Sequence, residues 1–569
     1  MRRRKVGNIG KFLGMTAFTG AAIVAGGKAF DSAWMVADGK SLREAAGADY
    51  QAMLDSPNFT RYREYLNAAH AEAAQEVRTM KGANEQDVAR LFASGISNRS
   101  RKKLLKRLPE TFISAVEKLG LDIKKYTAWA SPPSGVEAME ASLQHQLGVE
   151  GAPCWPQETR DQFAQKDGPL YQVFLDEVAK YPANRARVFD DMHGRISRFV
   201  LGLDGDKSAG WSQYFRPGTK RSWQDKEGLE LASYFTRCRL LLRAAVGPDV
   251  MAQMTPSQLV EAGLSDPRTM FIKVEPHGES KISEGRWRLI WGASLVDVCT
   301  ASVTCRRQDK LDIEQYQGGP VKDGHQQAAG LGHHDLGVDR LCREFDRLLD
   351  TGLEVFDADA KHWDMLVNRD SIYADAWRRV ILYAGAYSDV FERLALCEAA
   401  ANSAHVVLVG GNLWEVLKPG ITASGILSTT AQNSFIRALL YSFVGVKSCV
   451  VAGDDAAGAR VPGYDHTLPL KAYGPIEKAV NVYKPETGIE FTSHRFVKRA
   501  GGWHATFLNL GKACARLALG DKEVQRDQLA GLLFCVRNEP EHVNELKLLS
   551  EEMGWPISGV DPVFLPFVA

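Results

Sequence analysis

Apolar and polar positions follow two rhythms along this chain. From about Ala29 to Lys125 the spacing is mainly helical, with Ala/Glu/Arg-rich stretches such as Tyr65 to Met80. In the middle it shortens to the period of strands. Phe271-Ile-Lys-Val and Trp287-Arg-Leu-Ile-Trp each predict a strand, and His405 to Val409 with Leu413 to Leu417 predict a hairpin through Gly410-Gly411-Asn412. A second hairpin runs from Val446 to Ala452 and resumes after Asp455, which leaves Gly453-Asp454-Asp455 at its tip. Another apolar run, Leu353 to Phe356, leads straight into Asp357-Ala-Asp359-Ala-Lys-His-Trp-Asp364. Gln525 to Val536 and Glu541 to Met553 return to helical spacing, and Pro132 to Gly135 and Gly148 to Pro156 are turn-rich boundaries. Strands in the centre with helices before and after predict an α+β protein.

Composition adds bounds. A chain of 569 residues can bury a large core in more than one lobe. Its net charge of +1 excludes a uniformly basic nucleic-acid coat but leaves room for a local basic channel. Nine scattered cysteines, with no Cys-x-x-Cys and no zinc spacing, read as reduced thiols of an intracellular protein. At the N-terminus Arg2-Arg-Arg-Lys5 precedes the uncharged stretch Phe12 to Gly27, shorter than the roughly twenty residues of a spanning helix. A membrane-surface anchor and a packed Gly/Ala-rich helix both fit it. The basic run Arg99 to Arg107 reads first as a solvated helix face.

Candidate chemistry centres on acids. Asp359 ends a strand, and the hairpin carrying Asp454 and Asp455 could bring further carboxylates beside it. Hard oxygen ligands suit Mg²⁺ or Mn²⁺. Two such ions about 3.5–4 Å apart would serve an in-line displacement by a 3′-hydroxyl on a triphosphate. Gly-Asp-Asp alone is also simply a good turn. The hydrophobic strand running into it sharpens the case, because adjacent acids at a buried tip need a counter-charge. Asp357 shares a strand face with Asp359 and could compete for the metal, but reads as a supporting or structural acid. In the segment Ser424-Gly425 to Ser434, Thr429 and Asn433 stand four apart on one helical face. Asn433 and Asp364 could together read a ribose 2′-hydroxyl, although local capping would use the same residue types. Lys273, Lys281, Arg286 and Arg288 could line the approach of a triphosphate or protect a strand edge.

These segments together, with Ser294-Leu-Val-Asp297 and Glu490-Phe-Thr-Ser-His-Arg-Phe-Val, resemble the viral RNA-dependent RNA polymerases of the sobemovirus, polerovirus and barnavirus-like group. The likeness runs from about Phe271 to Val497. It implies a right-hand fold: a basic/apolar segment over 1–28, a mainly helical N-terminal extension over 29–145, and mainly fingers over 146–350. A palm, with an antiparallel sheet flanked by helices, would span 351–500 with a fingers insertion near 380–418, and a helical thumb 501–569. It further implies that Asp359, Asp454 and Asp455 hold two Mg²⁺ or Mn²⁺ ions. Asp364, Ser424, Gly425, Thr429 and Asn433 would select the ribonucleotide, and Lys273, Lys281, Arg286 and Arg288 would hold the triphosphate. Ser493 and His494 would grip the primer or product. A lysine that protonates pyrophosphate would be Lys478 or Lys484, with Lys484 preferred. Implied partners are an RNA template, the nascent strand, ribonucleoside triphosphates, other viral replication proteins and a host membrane through the N-terminal segment, in a cytoplasmic replication complex. Two departures from the group are Lys361-His362-Trp363 between the acids and Thr492 where cysteine is common.

Rival readings are a reverse transcriptase-like polymerase, a non-catalytic RNA-binding protein retaining the fold, and a hydrolase with carboxylate-held metals. Asp364 with Asn433 favours a ribonucleotide product over the first, and the intact acids speak against the second. The ordered sugar-reading and cationic segments have no evident use in the third.

Overall fold

A computed structural model describes residues 88–93 and 104–555, apart from 167, 213–217, 320–323, 329, 331 and 410–411. Phe12 to Gly27, Tyr65 to Met80, the first part of the Arg99 run and the Gly410-Gly411 turn lie outside the described residues. Helices and sheets are mixed along the chain, so the α+β class holds.

The central sheet has five strands in the order Ile476–Val482, Glu354–Lys361, Asp455–Arg460, Ser448–Ala452 and His325–Gln327. All pairs are antiparallel except the last. One face is covered by the helix Thr429–Phe443, whose Phe435, Ile436, Leu439 and Leu440 are fully buried. Each such side chain contributes roughly 1.5–3 kcal/mol by leaving water. That helix packs in turn on Pro169–Val178 and Arg369–Leu382, in one core with Phe356, Val451 and Trp155. The other face meets Asp335–Asp350 and the three-stranded sheet Ile489–Phe491, His494–Arg499 and Gly502–Phe507, through Phe345, Val450 and Phe496.

A second five-stranded sheet holds the predicted His405–Val409 and Asn412–Val416 hairpin between Val88–Ala93 and the pair Arg268–Ile272 and Leu289–Gly292. Two sequence expectations are corrected here. Val88–Ala93 is an edge strand within a region read as helical. The strand expected at Phe271 to Val274 ends at Ile272, beyond which the chain turns and the Glu275 N–H donates to the Lys273 carbonyl at 2.9 Å instead of across the ladder. Lys273 keeps one ladder-like bond, its N–H donating to the Arg288 carbonyl at 2.8 Å.

The C-terminal helices Leu510–Leu519, Lys522–Cys535 and Pro540–Met553 form as the periodicity predicts. They do not pack alone. Phe112, Val116 and Tyr126 from the helices Glu110–Lys118 and Ile123–Thr127 share their core with Leu529, Leu533 and Leu546. The Tyr126 hydroxyl donates to Glu545 at 2.6 Å. Among the described residues, no helix is long and apolar enough to cross a membrane.

Candidate active site

The acids meet through strand register. Asp455 is the direct partner of Asp359 across the antiparallel pair, and Ala452 pairs with Asp455, so Gly453 and Asp454 are a two-residue turn. Gly453 has φ +66°, in the left-handed region that favours glycine, and a Cβ there would meet open space. The backbone angle, not crowding, therefore asks for glycine. Asp359 and Asp454 are exposed at this end of the sheet, and Asp455 is half-buried.

The helix Thr429–Phe443 fixes the turn from below. The Gly453 N–H donates to Ser434 Oγ at 2.8 Å. Arg437, fully buried, donates to the carbonyl of Asp454 and to that of Ala358 at 3.3 Å, and pairs with Glu477 at 2.8 Å. Tyr441 closes the node by donating to Glu477 at 2.8 Å. One guanidinium thus ties together the Asp359 strand, the Asp454 turn and the strand Ile476–Val482. Neither Arg437 nor Glu477 was singled out from the sequence. The available signal was a lone cation inside the apolar run Phe435 to Tyr441.

Charge at the tip is under-compensated. Burial, then Asp454 and Asp359, push Asp455 up to about 6, against opposing help from Arg437 and the Thr492 N–H. Burial and then Asp454 push Asp364 up to about 6 as well. Asp357 points to a different place. It is buried, accepts from Asn481 at 2.8 Å and from the Glu490 N–H at 3.0 Å, and is raised by burial. The supporting role read for it fits that position.

Of the two candidate lysines, the structure brings Lys478 to the acids. Its register slips between Glu477 and Ala479, leaving Lys478 as the extra residue of a bulge, and its ammonium lies 3.0 Å from Asp359. Lys484, the lysine preferred from the resemblance, lies elsewhere. Tyr483 bonds to Val355 near the far end of the Asp359 strand, and Lys484 lines a groove with Asp357, Glu490 and Arg495.

Around the acids, Asn433 is buried, and its amide oxygen has no hydrogen-bond partner among the described residues. Thr429 instead donates locally to the Ile426 carbonyl at 2.8 Å, the capping use that the sequence left open. Gly425 lies so close to Trp291 that a Cβ would sit 2.2 Å from its carbonyl oxygen, and Ser424 is exposed beside it. This close approach sets the Ser424 loop against the strand Leu289–Gly292. Arg288, just before that strand, is near enough to lower Asp364. Arg288, Lys273 and Lys512 converge on Glu275 at 3.0, 3.2 and 3.3 Å. Lys281 is held below its ordinary value by burial, then by Arg288 and Lys512. Arg286 faces a cavity of about 1100 Å³ shared with His145, Lys361 and His362. Burial and neighbouring cations press His362 down to about 4.

Thr492 and Ser493 form a second two-residue turn, with φ +47° and +65°. A β-branched residue in this region stores strain. The Thr492 hydroxyl contacts His333 at 2.8 Å, and His333 stacks on His494 with ring centroids 4.1 Å apart. His494 is buried and Ser493 exposed at the tip.

Could these residues hold a cation? Among the described residues, no three His, Cys, Asp or Glu side chains converge tightly enough to hold one by themselves. Magnesium, however, commonly takes only one or two carboxylates and fills its shell with water and phosphate oxygens. The Lys478 ammonium against Asp359 and the raised acids mark a place where positive charge is called for. The donor set fits a hard divalent ion.

Comparison with known proteins gives this arrangement a context. No family model matches the chain. The replicase polyprotein P2AB of Southern cowpea mosaic virus is 31% identical over 250 residues, covering 42% of this chain and 25% of that protein. Protein P1-P2 of Potato leafroll virus is 28% identical over 448 residues, covering 74% of this chain and 40% of its own length. The RNA-directed RNA polymerase of Mushroom bacilliform virus is 29% identical over 220 residues, 38% of this chain and 50% of that protein. The chain spans half or less of the length of these curated relatives. It is related to the replicase proteins of sobemo-, polero- and barnaviruses, the group its motifs resemble.

Proposed function

We propose that the chain is an RNA-dependent RNA polymerase that adds ribonucleoside triphosphates to an RNA 3′ end. The observation that carries this reading is the pairing of Asp455 with Asp359, with Asp454 at the turn between strands, in a chain related to viral replicases. In this reading the central sheet is the palm, the second sheet with its cationic segment belongs to the fingers, and the C-terminal helices are the thumb. Asp359 and Asp454, assisted by Asp455, would hold two Mg²⁺ or Mn²⁺ ions, which when bound stabilise the attacking and leaving oxygens of the displacement.

The protein's own groups supply the rest. The unpartnered amide oxygen of Asn433 and the carboxyl of Asp364 are suited to a ribose 2′-hydroxyl. A site built for that group rejects the analogue lacking it, because its own polar atoms would be left unpaired. Arg286 and Arg288, with Lys273 and Lys281, would hold the triphosphate, whose phosphates would compete with the Glu275 carboxylate now paired to Lys273 and Arg288. Lys478, 3.0 Å from Asp359, would be the lysine that lends a proton to departing pyrophosphate. Ser493 and His494 would grip the product strand. The partners would be template and nascent RNA, with other viral replication proteins, in a cytoplasmic replication complex of the host.

The test is extension on an RNA template by the purified full chain with Mg²⁺ or Mn²⁺ and all four ribonucleotides. Asp454→Ala serves as the matched control and should abolish synthesis while leaving the melting curve unchanged. Substantial polymerisation by that variant would sink the assignment, and preferential use of deoxynucleotides would favour a reverse transcriptase-like enzyme instead.

A further inference from the structure

We propose that the trough between the helices Met192–Leu201 and Arg306–Gly318 binds the phosphate backbone of single-stranded RNA, with room for one base. The choice of RNA as the polyanion rests on the polymerase reading; the anion site itself does not. Five cations line the trough, Arg195, Arg198, Arg306, Arg307 and Lys310, and no carboxylate lines it. In a chain with 70 Lys and Arg against 69 Asp and Glu, this is a local concentration and not an overall excess.

Helical spacing produces the concentration. Arg306 and Lys310 are four residues apart, and Arg195 and Arg198 three apart, so each helix turns a pair of cations to the shared space. The floor is apolar: Ile196, Phe199 and Val303 are buried beneath the rim. The Arg306 guanidinium lies 4.9 Å over the Phe199 ring, which holds its planar face along the wall, where a base can stack. The cavity measures about 330 Å³, enough for a small ligand group. Nearby carboxylates neutralise the rim only in part. Glu314 is 4.0 Å from Arg307 and 3.6 Å from Lys310, and Asp191 is 3.2 Å from Arg198.

Two features favour RNA over an anionic membrane surface. The trough is concave, and its apolar residues are sunk below the cations, whereas a lipid surface is met by apolar side chains that project. The back of the second helix also reaches the candidate active site. Asp309 accepts from Ser428 at 2.9 Å and pairs with Arg379 at 2.9 Å. Ser428 is the left-handed cap of the helix that carries Asn433. A strand lying in the trough would therefore rest on the element that anchors the sugar-reading helix.

The experiment measures binding of a short fluorescein-labelled single-stranded RNA to the full chain across a salt series, without nucleotides. The double variant Arg306→Gln/Lys310→Gln should bind about tenfold more weakly. Its slope of log K against log salt should shrink by about 1.4, from roughly 0.7 per phosphate contact on a single strand. Unchanged affinity and slope would overturn the proposal. So would loss of binding to phosphatidylserine vesicles with RNA binding intact, which would assign the trough to lipid. Photocrosslinking of 4-thiouridine RNA to the unmodified protein gives an answer independent of the variant's folding. Crosslinks within either helix are expected, and their absence from both would refute the site. Because Asp454→Ala should still bind RNA here, failure of the polymerase reading and failure of this site give different results.

Discussion

Asp297 and Asp455 are both withdrawn from water, yet their surroundings treat charge in opposite ways. Burial pushes Asp297 up, but Arg239, Arg268 and Arg243 outweigh it and hold it below the usual carboxylate range. Arg239 reaches it at 2.7 Å while also pairing with Asp266 at 2.9 Å, and Asp297 in turn accepts from the Asp266 N–H at 3.0 Å. A similar cluster joins Arg378 and Arg379 to Asp375 and Asp312. At Asp455 burial is reinforced by Asp454 and Asp359, and the carboxyl rises to about 6. In the first region every buried acid has its guanidinium. In the second, acids crowd together with cations set behind or beside them. A fold that matches the buried acids of the Asp297 network leaves this site unmatched, as expected where the missing charge arrives with a ligand.

The comparison can be broken at either end. Asp297→Ala should be the more damaging to folding, because it removes the carboxylate that the buried Arg239, Arg243 and Arg268 share. A loss of about 3–5 kcal/mol is expected, read as a lower melting temperature, with synthesis per folded molecule retained. A variant that melted normally would show that the network is not what holds this lobe. Next comes Arg437→Lys, which keeps a charge against Glu477 but cannot reach both backbone carbonyls. Its kcat should fall about 10–100-fold, the range typical of groups that orient metal ligands, with KM for nucleotide little changed and more Mg²⁺ required. A purely structural role would lower the melting temperature without altering the metal requirement.

Smaller effects follow at the sugar site. Asn433→Ala should weaken discrimination between ribo- and deoxynucleotides about tenfold or more, since a lost buried hydrogen bond to substrate is worth about 1–3 kcal/mol. Unchanged selectivity would remove Asn433 from the site. The smallest concerns pH. Asp364 has a folded value of about 6, against an ordinary 3.8, so the folded state binds more protons between those values. Its contribution to stability is fully present below about 3.8 and is lost as pH rises through 6. In metal-free buffer Asp364→Asn should therefore gain stability relative to the parent as pH rises from 4 to 7, by on the order of 1 kcal/mol. Asp297, lowered in the fold, runs the other way: its contribution is present above the ordinary carboxylate range and fades as pH falls. A flat difference for Asp364→Asn would mean that its carboxyl is already compensated.

Much of the site was legible because its signals are local. The Gly453 turn between two apolar runs and the Thr429-to-Asn433 spacing each involve a few consecutive residues, and the structure builds them as the pattern implies. The cationic segment was legible as composition and in part as strand, but its first strand stops at Ile272, where the chain turns at Lys273 and Glu275. Lys484 was preferred from the resemblance, whereas a bulge one residue wide sets Lys478 3.0 Å from Asp359. Arg437 was passed over because a single cation in an apolar helix carries no meaning until its partners are known.

By itself the sequence determined the α+β class, the acids at a hairpin tip and the order of the segments around them, because turn chemistry and side-chain periodicity act over neighbouring residues. Tertiary structure decided which lysine faces Asp359, what holds the Asp454 turn, and that helices some hundred residues apart share one basic trough. Those outcomes depend on strand register and on the packing of distant elements, where a shift of one residue turns a side chain to the opposite face.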